Sequence, residues 1–320
     1  MDLTIIIVNW NGGDLLLRCL QTIRESKTSF QVKVIVVDND SADGSREAAT
    51  KAFPEFHVFN SGSNLGFGRA NNAARHLVQT PLVLFLNPDT ELQPDSLEKA
   101  VQCLVNLPDV GALGCKMLYP DGTVQDVGIQ WLPTPITVLA EMLFVTRVNR
   151  RRLKGWFPVV DPNKSSYCRK IYGGFVLARR EILDKAGWFD DRYFMYAEDV
   201  DLSHSITALG WKLYYCADSV ITHVCGGTSE KAPSGFSILM KHESICKYMA
   251  KYHGILGSLG YRLVIIFGSS IRYLGVLLAR PLSFGKSQQA KLRQQGALRK
   301  HQTALLWSLG LRKAAVPTSR

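Results

Sequence analysis

The sequence predicts an α/β protein with an open, mainly parallel β-sheet, helices on both faces of that sheet, and a helical C-terminal extension. Short apolar runs rich in Ile and Val alternate with helical segments along the first 110 residues, and most runs end in polar residues. This alternation favours strands joined by crossover helices. The 320 residues, 46% of them hydrophobic, allow one large domain or two ordinary ones. Because ligands bind at the carboxyl ends of such strands, we expect the polar residues to line one crevice.

Four apolar runs are the predicted strands of this sheet, at residues 3–8, 33–37, 56–60 and 82–86. Runs without polar alternation are typical of parallel strands, which are buried on both faces. Predicted helices cover residues 15–24 and 46–53, and two more begin at Gly68 or Arg69 and at Ser96. Asp14 is placed to cap the first helix. Strand and helix therefore alternate four times before residue 110.

The chain between residues 110 and 241 is less regular. It predicts a strand at residues 174–178, a helix at 180–186, an aromatic loop at 188–196, a helix that opens at Glu198, and a strand at 211–216. Residues 131–154 predict a partly mobile insertion, which holds two prolines and a basic patch. The patch comprises Arg147, Arg150, Arg151, Arg152 and Lys154.

The net charge of +11 is concentrated at the C-terminal end. Residues 251–320 hold 12 of the 38 Lys and Arg and none of the 27 Asp and Glu, so the first 250 residues are close to neutral. A protein that binds nucleic acid over its whole surface is therefore disfavoured, and a neutral catalytic body with a basic appendage is favoured. We expect no nucleic-acid partner.

The seven cysteines and the N-terminus indicate the cellular compartment of the protein. The cysteines are odd in number, scattered and without C-x-x-C spacing, which argues against a disulfide framework or a zinc site. Asp2 stands where a signal peptide would be positive, and the first apolar run stops at Asn9. We expect a cytoplasmic body.

The C-terminal tail contains an apolar run at residues 263–271, interrupted by Arg272 and continued at 273–279. A membrane span needs about 20 predominantly apolar residues, so the charges weaken that interpretation. Two hypotheses remain open: an amphipathic segment in the membrane interface, attracted to anionic lipid, and a helical pair packed on the body.

Polar residues at the ends of the first three strands are candidates for reading a nucleotide. They are Asn9 and Asn11 after the first strand, Asp38, Asn39 and Asp40 after the second, and Asn64, Gly66, Phe67, Gly68 and Asn71 after the third. Amide and carboxylate groups at a strand end suit the N–H and carbonyl edge of a base. The G-x-G lacks the third glycine of the dinucleotide fingerprint and follows the wrong strand, so a dehydrogenase is disfavoured.

Two further segments carry groups for chemistry. In Asn87-Pro88-Asp89 the carboxylate of Asp89 is the leading ligand for a divalent cation, with His223 as a second ligand. In residues 193–202 three acids, Glu198, Asp199 and Asp201, arrive together at a helix N-terminus. A carboxylate there can take a proton from a hydroxyl in a partly dry pocket.

In this order, the motifs resemble those of family-two glycosyltransferases of the GT-A fold, in the bacterial rhamnosyltransferase-like branch. The matching segments are residues 5–11, 36–39, 64–72, 86–89, 173–175 and 197–202, with His223 and Gly227. The resemblance covers roughly residues 3–228. It implies a nucleotide-sugar-binding, Rossmann-like GT-A domain at 1–245, with a nucleotide half to about 110 and an acceptor half from 111, before a membrane-associating tail at 246–320.

The resemblance also implies roles for individual residues. Asp199 would be the catalytic base, with Glu198 beside it, and Asp89 and His223 would hold Mg2+ or Mn2+. The donor contacts would include Val8, Asn87 and Pro88 besides the residues already given, and the acceptor and sugar pocket would comprise Gly173, Gly174, Phe175, Trp188, Tyr196 and Asp201. The chain departs from the family pattern at Asn87, which stands where the metal motif usually has its first Asp.

The implied activity is transfer of a sugar from a nucleotide-sugar, with inversion, to a lipid-linked or polysaccharide acceptor in cell-surface glycan synthesis. L-rhamnose from its deoxythymidine diphosphate donor is the expected sugar, and galactofuranose, glucose or N-acetylhexosamine from a UDP or GDP donor are the alternatives. The expected site is the inner face of the plasma membrane, with a homo-oligomer as a possible assembly. A non-catalytic nucleotide-binding scaffold is the alternative from another class, but it gives Glu198, Asp199 and His223 no common purpose.

Overall fold

The computed structural model describes residues 2–125, 131–142, 160–224, 235–279 and 287–315. The described residues form two compact units. The first holds residues 2–125, 131–132 and 160–224, and the second holds 133–142, 235–279 and 287–315. The basic patch at 147–154 and the segment that follows Val224, including Gly227, lie outside the described residues.

The first unit alternates strands and helices. In chain order the strands are β1 (Leu3–Asn9), β2 (Val32–Asp38), β3 (His57–Asn60), β4 (Leu82–Leu86), β5 (Thr90–Leu92), β6 (Val110–Leu118), β7 (Ser166–Cys168), β8 (Phe175–Arg179) and β9 (Lys212–His223). The helices are α1 (Asp14–Arg24), α2 (Ser45–Ala52), α3 (Phe67–Ala73), α4 (Ser96–Val105), α6 (Arg180–Ala186) and α7 (Glu198–Ala208), with α5 (Pro135–Met142) belonging to the second unit.

The nine strands found in the described ranges form one sheet in the order β3-β2-β1-β4-β8-β6-β9-β5, with β7 paired to β9. β1, β2, β3 and β4 are parallel to one another. Antiparallel pairing begins where β8 joins β4, and β6 and β9 then run parallel to each other. The expected open α/β sheet is confirmed, and its parallel part is the half that carries the predicted nucleotide edge.

Helices cover both faces of this sheet. Side chains that alternate along β1 separate the two layers: Ile5 and Ile7 pack with α1, α2 and α4, whereas Ile6 and Val8 pack with α3, α6 and α7. A strand turns successive side chains to opposite faces, so an unbroken apolar run supplies both cores. The expectation of helices on both faces is confirmed.

The part of the second unit that the structure describes contains three helices, α5, α8 (Phe236–Leu278) and α9 (Gln288–Ser308). α8 contacts both of the others, and its core includes Tyr261, Ile265 and Trp307. Gly254 breaks the helical backbone of α8 with a φ of 66°. The boundary expected at residue 245 falls inside α8, so the second unit starts earlier, and α5 from the predicted insertion joins it.

Among the described residues, α8 is the one helix long and apolar enough to cross a membrane. An 18-residue window of α8 has a mean hydropathy of 1.5, and 28% of that window is buried. The extension is helical, as the sequence predicts, and several large apolar side chains in the second half of α8 are exposed.

Candidate active site

The ends of β1 and β2 carry a closed network of hydrogen bonds. Asn9 is fully buried, and its Nδ2 donates to Asp38 Oδ1 at 2.8 Å and to Ser45 Oγ at 2.8 Å. The other carboxylate oxygen of Asp38 accepts from the backbone N–H of Ser41 at 3.0 Å. Buried polar groups need such partners. These side chains therefore fix the loop after β2 instead of facing solvent.

Asn39 continues this network to the loop before α3. Its Nδ2 donates to Asn64 Oδ1 at 3.1 Å and to the Gly66 carbonyl at 3.0 Å, and its Oδ1 accepts from the N–H of Leu65 at 2.9 Å. Asn39 is 2% exposed. Asn11 similarly bonds the loop, accepting from the N–H of Ala42 at 2.8 Å. The predicted nucleotide residues thus converge on one edge, but they use most of their polar atoms on one another.

Other predicted donor residues lie along the same edge. Val8, Gly66, Gly68, Asn71 and Pro88 are buried, and Asp40 and Phe67 are half-buried. Asn71 Nδ2 donates to the Phe67 carbonyl, while Asn71 Oδ1 is buried without a partner among the described residues. Asp40 has a φ of 63°. A buried polar atom without a partner is rare in proteins, so Asn71 Oδ1 is a candidate contact for a bound water or ligand.

The aromatic loop that precedes α7 is fastened to the start of α3. Phe67 N donates to the Phe194 carbonyl at 2.8 Å, and a Cβ on Gly66 would lie 2.1 Å from that oxygen, so only glycine fits. The side chain of Asn72 also donates to the Phe189 carbonyl and accepts from the Phe189 N–H. The loop that leads to the predicted catalytic acids is therefore held in one place by the predicted nucleotide loop.

The backbone immediately before α7 is strained. Tyr196 and Ala197 have φ values of 67° and 65°, a left-handed conformation that is unfavourable for residues other than glycine. Residues in such conformations cost of order 1–3 kcal/mol each and cluster at functional sites. Here the strain turns the chain so that α7 opens with Glu198 and Asp199.

Asp199 has both carboxylate oxygens held by backbone donors. Its Oδ2 accepts from Gly173 N at 3.0 Å and its Oδ1 from Val200 N at 2.8 Å. Burial raises the pKa of Asp199, and the two N–H groups and the charge of Lys170 counteract this rise. The result is an oriented carboxylate with enhanced basicity, as a general base requires.

Glu198 is the second acid of this pair. It is 7% exposed, and its Oε2 has no hydrogen-bond partner among the described residues. Burial, followed by the charge of Asp199, raises the pKa of Glu198 to about 8. The hydrogen bonds from Gly173 N and Val200 N favour the charged form of Asp199, so within the pair the negative charge is favoured on Asp199 and the proton on Glu198.

The predicted metal ligands lie together at the ends of β4 and β9. His223 Nε2 is 3.3 Å from Asp89 Oδ1 and 3.4 Å from Asn87 Nδ2. The side chains of Asp89 and His223 are 7% and 13% exposed. Two ligands that bind one octahedral cation at about 2.1 Å are separated by about 3 Å, so this pair suits a divalent ion.

Gln125 fixes the orientation of the His223 ring. Gln125 Nε2 donates to the His223 carbonyl, at 2.6 Å, and to the Leu118 carbonyl, at 3.2 Å, which leaves Oε1 facing His223 Nδ1 at 3.1 Å. Oε1 can only accept, so Nδ1 is the protonated nitrogen of the neutral ring. The Nε2 lone pair then faces Asp89, the arrangement in which an imidazole binds a cation.

Two consecutive glycines join the acid pair to the cation pair. Gly173 N bonds Asp199, and the carbonyl of Gly174 accepts from Asn87 N at 3.1 Å. A Cβ on Gly174 would lie 3.5 Å from the His223 ring. The structure therefore brings the predicted metal ligands, the predicted base and the glycine pair into one site.

Three residues predicted for the sugar pocket have side chains that are buried against other parts of the protein. Phe175 is fully buried in the core, and Trp188, 2% exposed, packs edge-on against Phe85. Asp201 is also 2% exposed and accepts from the hydroxyl of Tyr193 at 3.0 Å. Since α7 turns every fourth residue inward, the third acid of the motif supports the aromatic loop. Tyr196, by contrast, stays half-buried beside the acid pair in sequence.

Sequence reasoning missed two residues of the site. Gln125 lies 98 residues before His223, and Lys170 precedes the glycine pair and acts on Asp199 through its charge. The turn at 119–122 marks the end of β6, but nothing in the pattern around Gln125 shows which strand end it meets. A lysine three residues before a predicted pocket is the one signal that sequence offers for Lys170.

Comparison with known proteins identifies the family. The family model described as "Glycosyl transferase family 2" matches residues 4–187, more than half of the chain. The chain belongs to glycosyl transferase family 2. This family-2 chain is therefore a glycosyltransferase, as the motifs predict. The matched region contains strands β1 to β8 and the glycine pair, whereas α7 and β9 follow it.

Curated relatives of this family-2 protein include rhamnosyltransferases. It is 27% identical over 304 residues to the N-acetylglucosaminyl-diphospho-decaprenol L-rhamnosyltransferase of Mycobacterium tuberculosis, covering 84% of this chain and 94% of that protein. It is 25% identical over 224 residues to the rhamnosyltransferase WbbL of Escherichia coli, covering 66% and 79%. The rhamnosyltransferase-like assignment from the sequence is confirmed.

Solved structures confirm the GT-A fold of this family-2 protein. A mannosyltransferase from Pyrobaculum calidifontis, in complex with GDP-Man and Mn2+, matches with a TM-score of 0.57 at 18% identity, over 96% of this chain and 86% of that one. TarS residues 1–349 from S. aureus match with a TM-score of 0.51 at 13% identity, over 97% and 92%.

Proposed function

We propose that this family-2 glycosyltransferase moves L-rhamnose, with inversion, from a deoxythymidine diphosphate donor to a lipid-linked acceptor in cell-surface glycan synthesis. The observation that carries the proposal is the joining of Asp199 to the Asp89–His223 pair through Gly173 and Gly174. The sugar and the type of acceptor rest on the names of the mycobacterial and E. coli relatives.

In the proposed reaction the acceptor hydroxyl attacks the anomeric carbon in one displacement. A new bond forms between that carbon and the acceptor oxygen, the bond to the donor phosphate breaks, and Asp199 takes the hydroxyl proton. Because its two oxygens are held by Gly173 N and Val200 N, Asp199 presents a fixed lone pair. General-base assistance of this kind is worth about 10²- to 10⁴-fold in rate.

Asp89 and His223 would hold Mg2+ or Mn2+ against the donor diphosphate. Among the described residues no group of three or more His, Cys, Asp and Glu surrounds a common point, so the remaining ligands would come from the diphosphate and water. Bound there, the ion supplies positive charge for the diphosphate that leaves. Asn87, which departs from the family pattern, contributes an amide 3.4 Å from His223.

The membrane-facing part of the proposal concerns the second unit. A lipid-linked acceptor has its reactive sugar at a bilayer surface, and the basic C-terminal chain is suited to an anionic surface. We place the enzyme at the inner face of the plasma membrane as a peripheral protein. Its homo-oligomeric state is a separate proposal, tested by light scattering of the purified protein.

A donor panel tests the proposed function. Thermal unfolding is followed with dTDP, UDP and GDP and with their sugars, with and without Mn2+, since ligands of the folded state raise its melting temperature. We expect the largest rise with the dTDP series and Mn2+, and transfer of rhamnose to an N-acetylglucosaminyl-diphospho-polyprenol with inverted configuration by NMR. A rise with UDP or GDP alone would indicate a different donor sugar. The absence of both transfer and slow hydrolysis with every donor would favour a non-catalytic scaffold.

Gln125→Leu tests the proposed cation site. Loss of the bond that orients His223 should raise the Mn2+ concentration for half-maximal activity by about 10- to 100-fold. Turnover at saturating Mn2+ should fall much less. Gln102→Leu removes an exposed glutamine that bonds Glu98, and it should leave the Mn2+ requirement unchanged. An unchanged requirement in Gln125→Leu would argue against a cation at His223.

A further inference from the structure

The outer face of α8 exposes a continuous row of large apolar side chains. It comprises Leu259, Leu263, Phe267, Ile271, Leu274 and Leu278, which we call the apolar stripe. Each of these residues is between 47% and 78% exposed. Their spacing of three or four residues places them on one side of the helix, over a length of about 30 Å. Soluble proteins rarely leave so long an apolar surface uncovered.

The charged residues of this part of α8 lie away from the stripe. Arg262 stacks over the Trp307 ring at 4.6 Å and donates to the Trp307 carbonyl, and Arg272 donates to the Met142 carbonyl. Tyr261 and Ile265 on that inner side are buried. The helix therefore has one packed face that accommodates both arginines and one open face that carries large apolar side chains and no charged residue.

The packing partner of α8 favours an in-plane position over a membrane crossing. α9 packs along α8, and it carries four exposed basic residues, Lys291, Arg293, Arg299 and Lys300. A helix that crossed the bilayer with α9 attached would carry these charges into the hydrocarbon, where charged side chains are strongly disfavoured. With the stripe in the interface and α9 on its water side, the same charges stay hydrated.

Charge also distinguishes a bilayer from a second copy of the chain. The described residues of the second unit hold 11 Lys and Arg and two acids, Glu141 and Glu243. Two such units brought together would repel each other, whereas an anionic lipid surface attracts them. Of the partners that an apolar surface fits, the bilayer is therefore the one that also suits this charge.

We propose that the apolar stripe is the membrane-contact surface of the protein and lies in the plane of an anionic bilayer. This inference extends the proposed function, because it gives the residues through which the enzyme meets the surface that bears a lipid-linked acceptor. The stripe enters the acyl region, and the basic residues of the second unit contact the headgroups.

Sedimentation with preformed vesicles tests the proposal. The full-length protein is mixed with phosphatidylglycerol–phosphatidylethanolamine vesicles and with phosphatidylcholine vesicles at low and high salt. We expect it to bind the anionic vesicles more tightly, with a weaker preference at high salt. In Leu263→Gln/Phe267→Gln the partition coefficient should fall at least about tenfold, because two side chains lose their apolar environment.

Val105→Gln/Leu209→Gln is the matched control. Both side chains are exposed apolar residues of the first unit, 39% and 45% exposed, and this variant should bind vesicles like the unmodified protein. Circular dichroism and the melting temperature of each variant report folding. Failure of the unmodified protein to bind anionic vesicles, or equal binding by the stripe variant, would overturn the proposal.

Two further measurements distinguish the membrane contact from a dimer contact and from a failure of the proposed function. Light scattering that finds a dimer in the unmodified protein and a monomer in the stripe variant would assign the stripe to a second copy and overturn the bilayer contact. The donor panel is repeated on the stripe variant without vesicles. A normal response to nucleotide-sugar alongside lost vesicle binding isolates the membrane contact, whereas no response in either protein contradicts the proposed function instead.

Discussion

Polar side chains at the two edges of the site differ in whether all of their buried atoms are hydrogen-bonded to the protein. At the ends of β1 and β2, Asn9, Asp38 and Asn39 are buried and bonded to protein partners. At the start of α7, Glu198 keeps a buried oxygen without a partner among the described residues, and the two residues before it are strained. The first region is a scaffold that positions loops, and the second retains unused bonding capacity for a ligand.

Replacement of the base should give the largest effect on activity. In Asp199→Asn the amide cannot take a proton, so turnover should fall by about 10²- to 10⁴-fold. Donor affinity, measured by the thermal shift with nucleotide-sugar, should change little. Asp218→Asn changes an exposed aspartate of β9 and should retain turnover. A parallel loss of donor affinity in Asp199→Asn would move Asp199 from the reaction to donor binding.

A substitution in the hydrogen-bonded scaffold at the ends of β1 and β2 should lower stability instead of turnover. Asp38→Asn places an amide donor against either Asn9 Nδ2 or Ser41 N, both of which are donors. One buried donor then lacks an acceptor, so the free energy of unfolding should fall by about 1–3 kcal/mol in urea titrations. Asp40→Asn removes the same charge from a half-buried side chain, and asparagine tolerates its positive φ.

One result for these two variants would contradict the scaffold role of Asp38. Stability equal to that of the unmodified protein in Asp38→Asn, together with a raised KM for the donor, would make Asp38 a direct ligand of the nucleotide. The scaffold interpretation of the β1–β2 edge would then be wrong. The expected result is a stability loss in Asp38→Asn that is absent, within about 0.5 kcal/mol, from Asp40→Asn.

The alternation of strands and helices predicted the parallel half of the sheet because that half depends on local apolar patterns. The antiparallel pairing of β8 with β4 was not predictable, since it joins residues about 90 positions apart. The family resemblance pointed to Asp89, His223 and Asp199, which lie in three distant segments of the sequence, and the structure brings them into one site. The resemblance also pointed to Phe175 and Trp188, whose aromatic side chains fit a sugar pocket equally well on sequence grounds.

Hydrogen-bond partners were the part that sequence could not supply. Asn9 and Asp38 follow neighbouring strands, which predicts that they lie close to each other and to a ligand. Whether they bond the ligand or each other depends on β1–β2 register, which pairs Asn9 with Asp38 directly. The role of Gln125 depends likewise on where the turn after β6 meets β9, a contact that no local pattern records.

Glycine substitutions test the link between the scaffold and the acid pair. Gly62 and Gly66 have nearly the same φ, 80° and 81°, but a Cβ on Gly62 meets no atom within 4 Å. Gly62→Ala should therefore cost only the strain of a left-handed residue, about 1–2 kcal/mol. Gly66→Ala must also displace the Phe194 carbonyl, so it should lower both the melting temperature and the turnover further.

Equal effects of the two glycine variants would contradict the mechanical link. Both variants add the same methyl group at a glycine with nearly the same φ, and Gly66, with a ψ of −171°, adds backbone strain to the contact with Phe194. A drop in turnover limited to Gly66→Ala, with donor binding intact, is the expected result, since Phe194 lies four residues before Glu198. The effect on stability should be the smaller part of that difference.

The smallest effect, a change of pH dependence, concerns Glu198. Its ordinary pKa of 4.5 is raised to about 8 in the folded protein, so between these pH values the folded state holds a proton that the unfolded state has lost. The stability due to this group is present below pH 4.5 and is lost as the pH rises toward 8. In Glu198→Gln, which has no proton to lose, the melting temperature should decline less between pH 5 and pH 8. In Glu181→Gln, which changes an exposed residue, the melting temperature should decline as in the unmodified protein.

The turnover of Glu198→Gln tests the same assignment. At pH 6–7 the neutral amide resembles the protonated acid, so turnover should stay within a few-fold. A large loss of turnover there would require Glu198 to be charged in the active enzyme and would reverse the assignment of the proton within the pair.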